Sequence, residues 1–481
     1  MEISLVSVFI IIYYFFVFIA FFYILLENKN PLKTQSYLLI IVLIPIIGML
    51  IYLFFGMNYR KTKLFSRKVL ADQKIIRLFA TKYEEILNRN QKEIREHLNE
   101  KWRLPFLAWR NARSPVTINN KVTILQNGEA KFPVLLEKIN AAKKFIYLEY
   151  YIVEESRIWH EISDLLLKKA TQGIEIKIII DGFGNNLKKK GINQLKKSGI
   201  QVYEYNPVRF QLFANRVNYR NHRKIVIIDN EIAFTGGINI SDYYINNSLT
   251  KRYWRDTHCM IEGEACSILK ILFSLNWYFV SGKLLEINDL KIPAQKHFGD
   301  TPSLIIGSDP DSDSAYIMET YFQLINSARK EIIIITPYFI PNDSILDALK
   351  TSAKSGVKVK LMVPLESDTK FVTEASYTFY GELIENDVEV YIYTKGMIHS
   401  KVIVVDREIS TIGTANMDYR SFDSNAEVIA MFFYADLANQ LVSDFNIDCK
   451  NAIKLSYDEW EVRPLASKLI GAFARLLAPL L

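Results

Sequence analysis

Two long runs of apolar residues, at positions 3–26 and 37–55, lie near the start of the sequence. Each run is long enough to cross a hydrocarbon core of about 30 Å, and a transmembrane helix tolerates the Pro45 within the second run. The pattern therefore predicts a two-helix transmembrane hairpin over residues 1–58. A cleaved signal peptide is the alternative for the first run, but that run lacks a preceding basic region and a small-residue cleavage site.

Beyond residue 113, short apolar runs alternate with segments of helical spacing, and their order occurs twice. Strands are predicted at residues 145–152 and 174–180 in the first half, and at 331–336 and 357–363 in the second. Strands that alternate with helices indicate βαβ units around a buried sheet. The repeated order indicates duplication of a whole domain. The sequence therefore predicts an α/β fold made of two similar halves.

One polar motif is present once in each half. It consists of His, any residue, Lys, four apolar residues and Asp, followed after six residues by Gly, a small residue, any residue and Asn. Alternate residues of a strand share a face, so the His and the Lys of each copy are expected to point the same way. The members are His222, Lys224, Asp229 and Asn239 in the first half, and His399, Lys401, Asp406 and Asn416 in the second.

These residue types suit chemistry at a phosphate group. Lys and Asn side chains bind and neutralise phosphate oxygens, while His attacks phosphorus or transfers a proton. A single His-x-Lys is more often structural, but two copies that agree at five spaced positions favour a functional site. The histidines are 399 − 222 = 177 residues apart, so they form one site only if the halves pack face to face. No metal-ligand spacing accompanies them, and no metal or cofactor is predicted.

The paired motif resembles that of the phospholipase D superfamily, and within it the sequence is similar to the bacterial cardiolipin synthases. The closer similarity comes from residues 254–258 (Trp-Arg-Asp-Thr-His), 337–341 (Pro-Tyr-Phe-Ile-Pro) and 416–422 (Asn-Met-Asp-Tyr-Arg-Ser-Phe). Gly237 is a departure, since many superfamily members carry Ser at that position. The resemblance implies two phospholipase D-like repeats with mixed β-sheets flanked by helices, packed about a pseudo-two-fold axis.

The resemblance also implies roles for individual residues. His222 would attack phosphorus and carry a phosphatidyl group, and His399 would protonate the departing glycerol and then activate the incoming alcohol. Because the halves are chemically alike, the choice of nucleophile stays open. The catalytic set implied by the motifs is His222, Lys224, Asp229, His399, Lys401 and Asp406, in which the two Asp residues are structural or hydrogen-bonding. Phosphate binding is assigned to Asn239 and Asn416, and orientation of the imidazoles to Asp256 and Glu427.

The remaining patterns concern organisation and location. Residues 59–113 read as a basic amphipathic linker, residues 114–295 as the first domain and residues 296–481 as the second, which ends in an amphipathic helix. That helix either contacts a bilayer or packs on the core. Basic residues crowd the linker, so the positive-inside rule places both domains in the cytoplasm. The resemblance implies that the membrane is the inner membrane of a bacterial cell. Three cysteines without a pairing pattern fit a reducing compartment.

The expected activity, implied by the resemblance, is that of a membrane-bound phosphatidyltransferase that converts two phosphatidylglycerols into cardiolipin and glycerol. The net charge of +7 suits anionic membrane lipids as partners. It also suits nucleic acid, but no nucleic-acid-binding module is recognisable. The alternatives are a phospholipase D-type hydrolase that releases phosphatidic acid, a nucleic-acid phosphodiesterase, and a non-catalytic membrane scaffold.

Overall fold

The computed structural model describes residues 5–27, 31–52, 68, 95–96, 98–207, 219–247, 252–285 and 296–478. Most of the predicted basic linker therefore lies outside the described residues, and so does the end of the chain beyond residue 478. The description covers both copies of the motif and the elements around them.

Helices and strands alternate through both halves, as the sequence pattern predicts. The helices are α1 (Leu5–Glu27), α2 (Pro31–Leu43), α3 (Pro45–Ile51), α4 (Arg103–Ala112), α5 (Asn127–Ala141), α6 (Arg157–Thr171), α7 (Lys189–Lys197), α8 (Ala265–Ser281), α9 (Tyr316–Asn326), α10 (Asp343–Lys354), α11 (Lys370–Ile384), α12 (Tyr419–Asp423), α13 (Ala435–Cys449), α14 (Tyr457–Glu461) and α15 (Leu465–Leu476). Short 3-10 helices span Asn99–Trp102 and Asp242–Tyr244.

The strands of the first half are β1 (Val116–Thr117), β2 (Asn120–Gln126), β3 (Phe145–Tyr150), β4 (Glu175–Asp181), β5 (Gln201–Tyr205), β6 (Lys224–Ile228), β7 (Ile232–Gly236), β8 (Tyr253–Arg255) and β9 (Thr257–Gly263). Those of the second half are β10 (Ser303–Ser308), β11 (Glu331–Ile335), β12 (Phe339–Ile340), β13 (Lys358–Pro364), β14 (Glu389–Tyr393), β15 (Gly396–Ile398), β16 (Val402–Val405), β17 (Ile409–Gly413), β18 (Met417–Asp418), β19 (Glu427–Phe432) and β20 (Ala452–Lys454).

Each half is built on one mixed sheet, and the two sheets have the same plan. The first has the order β2-β9-β7-β6-β3-β4-β5, and the second has the order β1-β10-β19-β17-β16-β11-β13-β14-β20. The motif strands β6 and β16 lie centrally, antiparallel to both of their neighbours. Strands β3, β4 and β5 run parallel to one another, as do β11, β13 and β14, which is expected of βαβ units, and the edge strand β20 is antiparallel to β14. The predicted α/β class with two repeats and mixed sheets is confirmed.

The four apolar residues of each motif pack into two hydrophobic cores, one on each face of the sheet. In β6, Ile225 and Ile227 belong to a buried cluster that includes Val402 and Val404 of β16. The alternate residues Val226 and Ile228 face the opposite side, where α5 and α6 cover the sheet. Because successive side chains of a strand point to opposite faces, a strand buried on both sides needs an unbroken apolar run. The shared cluster packs the two halves against each other.

The N-terminal region differs from the predicted pair of spans. The second apolar run is divided into α2 and α3, because the residue before a proline is disfavoured in the helical conformation and Ile44 is not helical, with φ −136° and ψ 74°. Across the part of the chain that is described, no helix meets the length and apolarity needed to span a bilayer. The transmembrane hairpin at residues 1–58 is therefore unconfirmed.

Candidate active site

The two histidines lie where the halves meet, each just before its central strand. The N–H of His222 donates to the carbonyl of Ala426 at 2.9 Å, and the N–H of His399 donates to the carbonyl of Arg255 at 2.7 Å. The second contact continues a short parallel pairing between β15 and β8. The backbone of each motif is thus held by the opposite half.

A carboxylate of the opposite half also orients each imidazole. His222 Nδ1 lies 2.9 Å and 3.0 Å from the two carboxylate oxygens of Glu427. His399 Nδ1 lies 2.7 Å from Oδ2 of Asp256. Each carboxylate accepts a hydrogen bond from Nδ1–H, so the free lone pair of each neutral imidazole resides on Nε2. Each of these two histidine–carboxylate pairs therefore takes one member from each half.

The lysines lie next to the backbone of their histidines. Nζ of Lys224 donates to the carbonyl of His222 at 2.7 Å, and Nζ of Lys401 donates to the carbonyl of His399 at 2.6 Å. Both lysines are buried. Each ammonium therefore has a fixed place beside an imidazole and further N–H groups that can bind an anion.

The two asparagines are placed differently. The side-chain amide of Asn239 donates to the Tyr244 hydroxyl at 2.9 Å, and its oxygen accepts the backbone N–H of Ile152 at 3.3 Å. The side-chain oxygen of Asn416 is buried and lacks a hydrogen-bond partner among the described residues. Rotation of that amide by half a turn would present an NH₂ group at the same point. Asn416 thus has unused hydrogen-bonding capacity in the site.

The surroundings of the two carboxylates explain the unusual glycine at position 237. Glu427 accepts hydrogen bonds from the hydroxyl of Thr414 and from Asn425 Nδ2, the latter at 3.2 Å. Gly237 occupies the place of Thr414 in the first motif, and a Cβ there would lie 2.1 Å from Oδ1 of Asp256. A side chain at 237 would displace that carboxylate, so the glycine makes room for Asp256.

Burial controls the ionisation of the site. It lowers the pKa of His222 to about 4 against the opposing effect of Glu427, and together with Lys401 it lowers the pKa of His399 to about 4 against Asp256. Burial also lowers the pKa of Lys224 to about 7 and that of Lys401 to about 8, although nearby carboxylates oppose it. Without an anion in the site, both imidazoles are therefore neutral at pH 7 and the lysines are close to their titration range.

The structure does not place Asp229 and Asp406 with the histidines, and both carboxylates accept hydrogen bonds from backbone N–H groups. Asp229 follows the far end of β6, about 16 Å from Lys224 at the usual rise of a strand. Its carboxylate accepts the N–H groups of Lys143, Lys144 and Phe145 at 2.8, 2.8 and 3.0 Å. Asp406 binds the equivalent N–H groups of residues 329–331. Both aspartates stabilise the turn that leads into β3 or β11.

Two buried arginines that sequence reasoning missed support the orienting carboxylates. Arg223 Nε donates to the carbonyl of Glu427 at 3.1 Å, and its guanidinium pairs with Asp309 at 2.8 Å. Arg255 donates to the carbonyl of Asp256 at 3.0 Å and pairs with Asp448 at 2.9 Å. Arg223 occupies the variable position of the first motif, and the second motif has Ser400 there, so comparing the two copies hides its importance.

Aromatic rings form the walls beside the histidines. The Tyr151 ring meets the His222 ring edge-on with centroids 5.0 Å apart, and Trp254 meets His399 in the same way at 5.7 Å. Such walls exclude water and limit imidazole rotation. Within the part of the chain that the structure describes, no group of three or more His, Cys, Asp or Glu side chains is arranged to hold a metal ion.

Comparisons with known proteins agree with this architecture. Residues 135–250 and 321–449 match the family described as cardiolipin synthase, PLD-like domain, and residues 15–56 match the phospholipase D-nuclease N-terminal family. A cardiolipin synthase of Geobacillus sp. (strain WCH70) is 39% identical over 97% of this chain and 92% of its own. One of Clostridium perfringens (strain 13 / Type A) is 35% identical over 95% of this chain and 96% of its own.

Among solved structures, the phosphatidylserine synthase of Haemophilus influenzae Rd KW20 superposes with a TM-score of 0.61 over 79% of this chain and 100% of that one. The two sequences are 14% identical, so the likeness concerns the fold alone.

Proposed function

This chain belongs to the cardiolipin synthase family of phospholipase D-like proteins, and we propose that its substrates are two molecules of phosphatidylglycerol, which it converts into cardiolipin and glycerol. As a family member it is a phosphatidyltransferase. The observation that carries the proposed mechanism is the pair of histidines, each oriented by a carboxylate from the other half.

In the first step, Nε2 of His222 attacks the phosphorus of the donor lipid. The bond between phosphorus and the oxygen of the headgroup glycerol breaks, and His399 gives its Nε2 proton to that oxygen. The product is a phosphatidyl group bonded to His222. His399 must be protonated for this step, and an anionic phosphate beside it favours the imidazolium by opposing the effect of burial.

In the second step, a hydroxyl on the glycerol headgroup of another phosphatidylglycerol attacks the same phosphorus. His399 Nε2 takes the proton of that hydroxyl, the bond from phosphorus to His222 breaks, and cardiolipin is released. One phosphodiester bond is broken and one is formed in the complete cycle. The exchange is therefore nearly balanced in energy and does not need a second source of chemical energy.

The lysines and asparagines serve the phosphate in both steps. Lys224 and Lys401 neutralise the charge that develops on its equatorial oxygens, which is the task of preorganised donors in a water-poor site. Asn416 donates from its rotated amide, and Asn239 donates from the hydrogen that does not face Tyr244. Glu427 and Asp256 stabilise the positive charge that each histidine carries in turn.

We also propose that the enzyme works at the bacterial inner membrane, because both substrates are lipids confined to a bilayer. Placing the site at that plane concentrates the acceptor lipid relative to bulk solution and favours transfer over reaction with water. Residues 1–58 are proposed to be the main anchor, and the catalytic halves are proposed to face the cytoplasm. A chain that starts at Tyr59 should lose carbonate-resistant membrane attachment and keep activity in detergent micelles; unchanged attachment would exclude this anchor.

One product analysis tests the proposed reaction. Purified enzyme is incubated with phosphatidylglycerol that is labelled in the acyl chains and, separately, in the headgroup glycerol. We expect one free glycerol for each cardiolipin, little phosphatidic acid, and reversal of the reaction by added glycerol. If phosphatidic acid predominates and added glycerol has no effect, the enzyme is a hydrolase and the proposed reaction is wrong.

A further inference from the structure

The C-terminal helix α15 presents its large apolar side chains to the outside. The exposed fractions are 71% for Leu465, 62% for Leu469 and 42% for Phe473. The residues it buries are small, namely Gly471 and Ala474. A helix that only completed a core would have the opposite arrangement. We call the outward side the terminal apolar face, and its members are Leu465, Leu469, Ile470, Phe473 and Leu476.

This face is held outward by a firmly packed helix. A Cβ at Gly471 would lie 2.8 Å from Cγ2 of Thr378 on α11, so the two helices are in close contact. Arg475 of α15 pairs with Glu382 of α11 at 3.0 Å. The large side chains therefore do not turn inward by a simple rotation of α15, since that would bring them against α11.

The terminal apolar face continues onto the N-terminal region. The hydroxyl of Ser36 on α2 donates to the carbonyl of Leu476 at 2.8 Å. A cleft of about 360 Å³ separates α2 from α15, and its lining is largely apolar. Val42 and Leu43, near the end of α2, are also exposed. Two helices from opposite ends of the chain thus form one extended apolar surface.

This surface lies beside the elements that lead into the site. Pro341 and Tyr419 line the cleft, and they directly follow the paired strands β12 and β18. Strand β18 begins one residue after Asn416. A layer that covered the surface would be positioned next to the catalytic strands.

The charges on α15 indicate what covers it. The helix carries Lys468 and Arg475 and has no acidic residue. Lys468 pairs with Glu461 at 2.8 Å and Arg475 with Glu382 at 3.0 Å, but both basic side chains stay partly exposed, and the chain as a whole has a net charge of +7. Apolar side chains flanked by basic ones are typical of helices that lie in the interface of a bilayer with anionic lipids. We propose that the terminal apolar face inserts into the surface of an anionic bilayer and holds the active site at the plane of its lipids. This goes beyond the proposed reaction, which does not depend on how the site reaches the lipid.

Insertion of the terminal apolar face into a bilayer can be measured without an activity assay. In the full chain carrying Cys449→Ser, an environment-sensitive dye is attached through Leu469→Cys or, as control, through Ile447→Cys, which is 55% exposed on α13. Vesicles contain phosphatidylcholine and phosphatidylglycerol, with or without a quencher on the acyl chains. We expect strong quenching at position 469 and little at position 447. Equal quenching at both positions, or none at 469, would overturn the proposal.

A second measurement uses variants of the face in the full chain, in the same vesicles, and is independent of attachment through residues 1–58. With the dye at Leu476→Cys, Leu469→Gln with Phe473→Gln should reduce quenching by the acyl-chain quencher several-fold, since each apolar side chain contributes when buried. The matched control is Phe322→Gln with Ile447→Gln, both exposed on other helices, and it should leave the quenching as in the chain without these changes. Equal quenching in the two double variants would contradict insertion. If the dye at 469 is shielded without vesicles and the wild type is a dimer that the first double variant abolishes, a second copy covers the face and the proposal is wrong.

Discussion

Replacing Glu427 by Gln tests the pairing of histidines and carboxylates between the halves. Glu427 belongs to the second half but contacts His222 of the first, at 2.9 Å and 3.0 Å. It accepts hydrogen bonds from three donors, namely His222, Thr414 and Asn425. A glutamine presents an NH₂ group to at least one of them, so a buried donor loses its acceptor and the positive charge on His222 loses its counterion.

The expected loss of rate in Glu427→Gln follows from the lost orientation and charge stabilisation of His222. Orientation and charge stabilisation by a general acid or base partner contribute about 10²-fold to 10⁴-fold in rate. This corresponds to about 3 to 5 kcal/mol at 1.36 kcal/mol for each factor of ten. We expect Glu427→Gln to slow formation of the covalent intermediate on His222 by this factor. Asp256→Asn should slow both proton transfers of His399, namely protonation of the departing glycerol and activation of the incoming hydroxyl, so it should also slow release of the intermediate.

Single-turnover experiments with acyl-labelled phosphatidylglycerol separate these effects. The reaction is quenched in alkaline denaturant, which preserves phosphohistidine, and labelled peptides are identified by mass spectrometry. Glu389→Gln, a carboxylate variant on the outer strand β14, is the matched control and should react at the rate of the wild type. If Asp256→Asn blocks adduct formation at His222 while Glu427→Gln allows it, each histidine is paired within its own half and the structural argument fails.

Three further predictions concern single side chains. Gly237→Ala should lower turnover by about 10²-fold or more through displacement of the adjacent carboxylate, whereas Thr414→Ser, which keeps the hydroxyl, should remain near the wild type in the same product assay. Lys224→Met should abolish turnover yet raise the Tm at pH 6. Burial lowers the pKa of this lysine to about 7, so its ammonium destabilises the folded protein below that pH, and progressively less as the pH rises toward 10.5. An unchanged or lower Tm of the variant at pH 6 would contradict this. In wild-type enzyme, kcat/KM should fall as the pH passes about 7 to 8 and the lysines lose their protons, and a flat profile up to pH 10 would rule out this role.

The architecture follows directly from sequence periodicity. The runs Ile225–Ile228 and Val402–Val405 have four consecutive apolar residues because β6 and β16 are buried on both faces. Each motif lysine donates from Nζ to the carbonyl of its own histidine, although both histidines precede the strands β6 and β16. The duplicated order of elements correctly predicted two halves with the same sheet plan.

The pairing of side chains across the halves was beyond sequence reasoning. Glu427 and His222 are 205 residues apart, and no local pattern shows which carboxylate meets which imidazole. Arg223 and Arg255 contact Glu427 and Asp256 through backbone carbonyls, which every residue has, so these contacts leave no trace in the sequence. The regular spacing of Asp229 and Asp406 in the motif did not show that their carboxylates accept the N–H groups of a turn in each half.

Sequence periodicity also did not show whether the apolar side of the terminal helix α15 packs on the core or contacts a bilayer. Its apolar residues recur at helical spacing whether they face the core or a bilayer. The structure separates the two cases, because Gly471 and Ala474 take the inward positions and the larger residues face outward. Which side of an amphipathic helix is covered depends on the shape of its neighbour, and here that neighbour is the closely packed α11.

The configuration at phosphorus tests the central claim most directly. Transfer through a phosphatidyl-histidine consists of two in-line displacements, each of which inverts the phosphorus centre. Phosphatidylglycerol made chiral at phosphorus with oxygen isotopes is converted to cardiolipin, and the configuration of the transferred phosphate is determined. Two displacements predict net retention. Net inversion would show that the second lipid attacks the first directly, and the proposed intermediate on His222 would then be excluded.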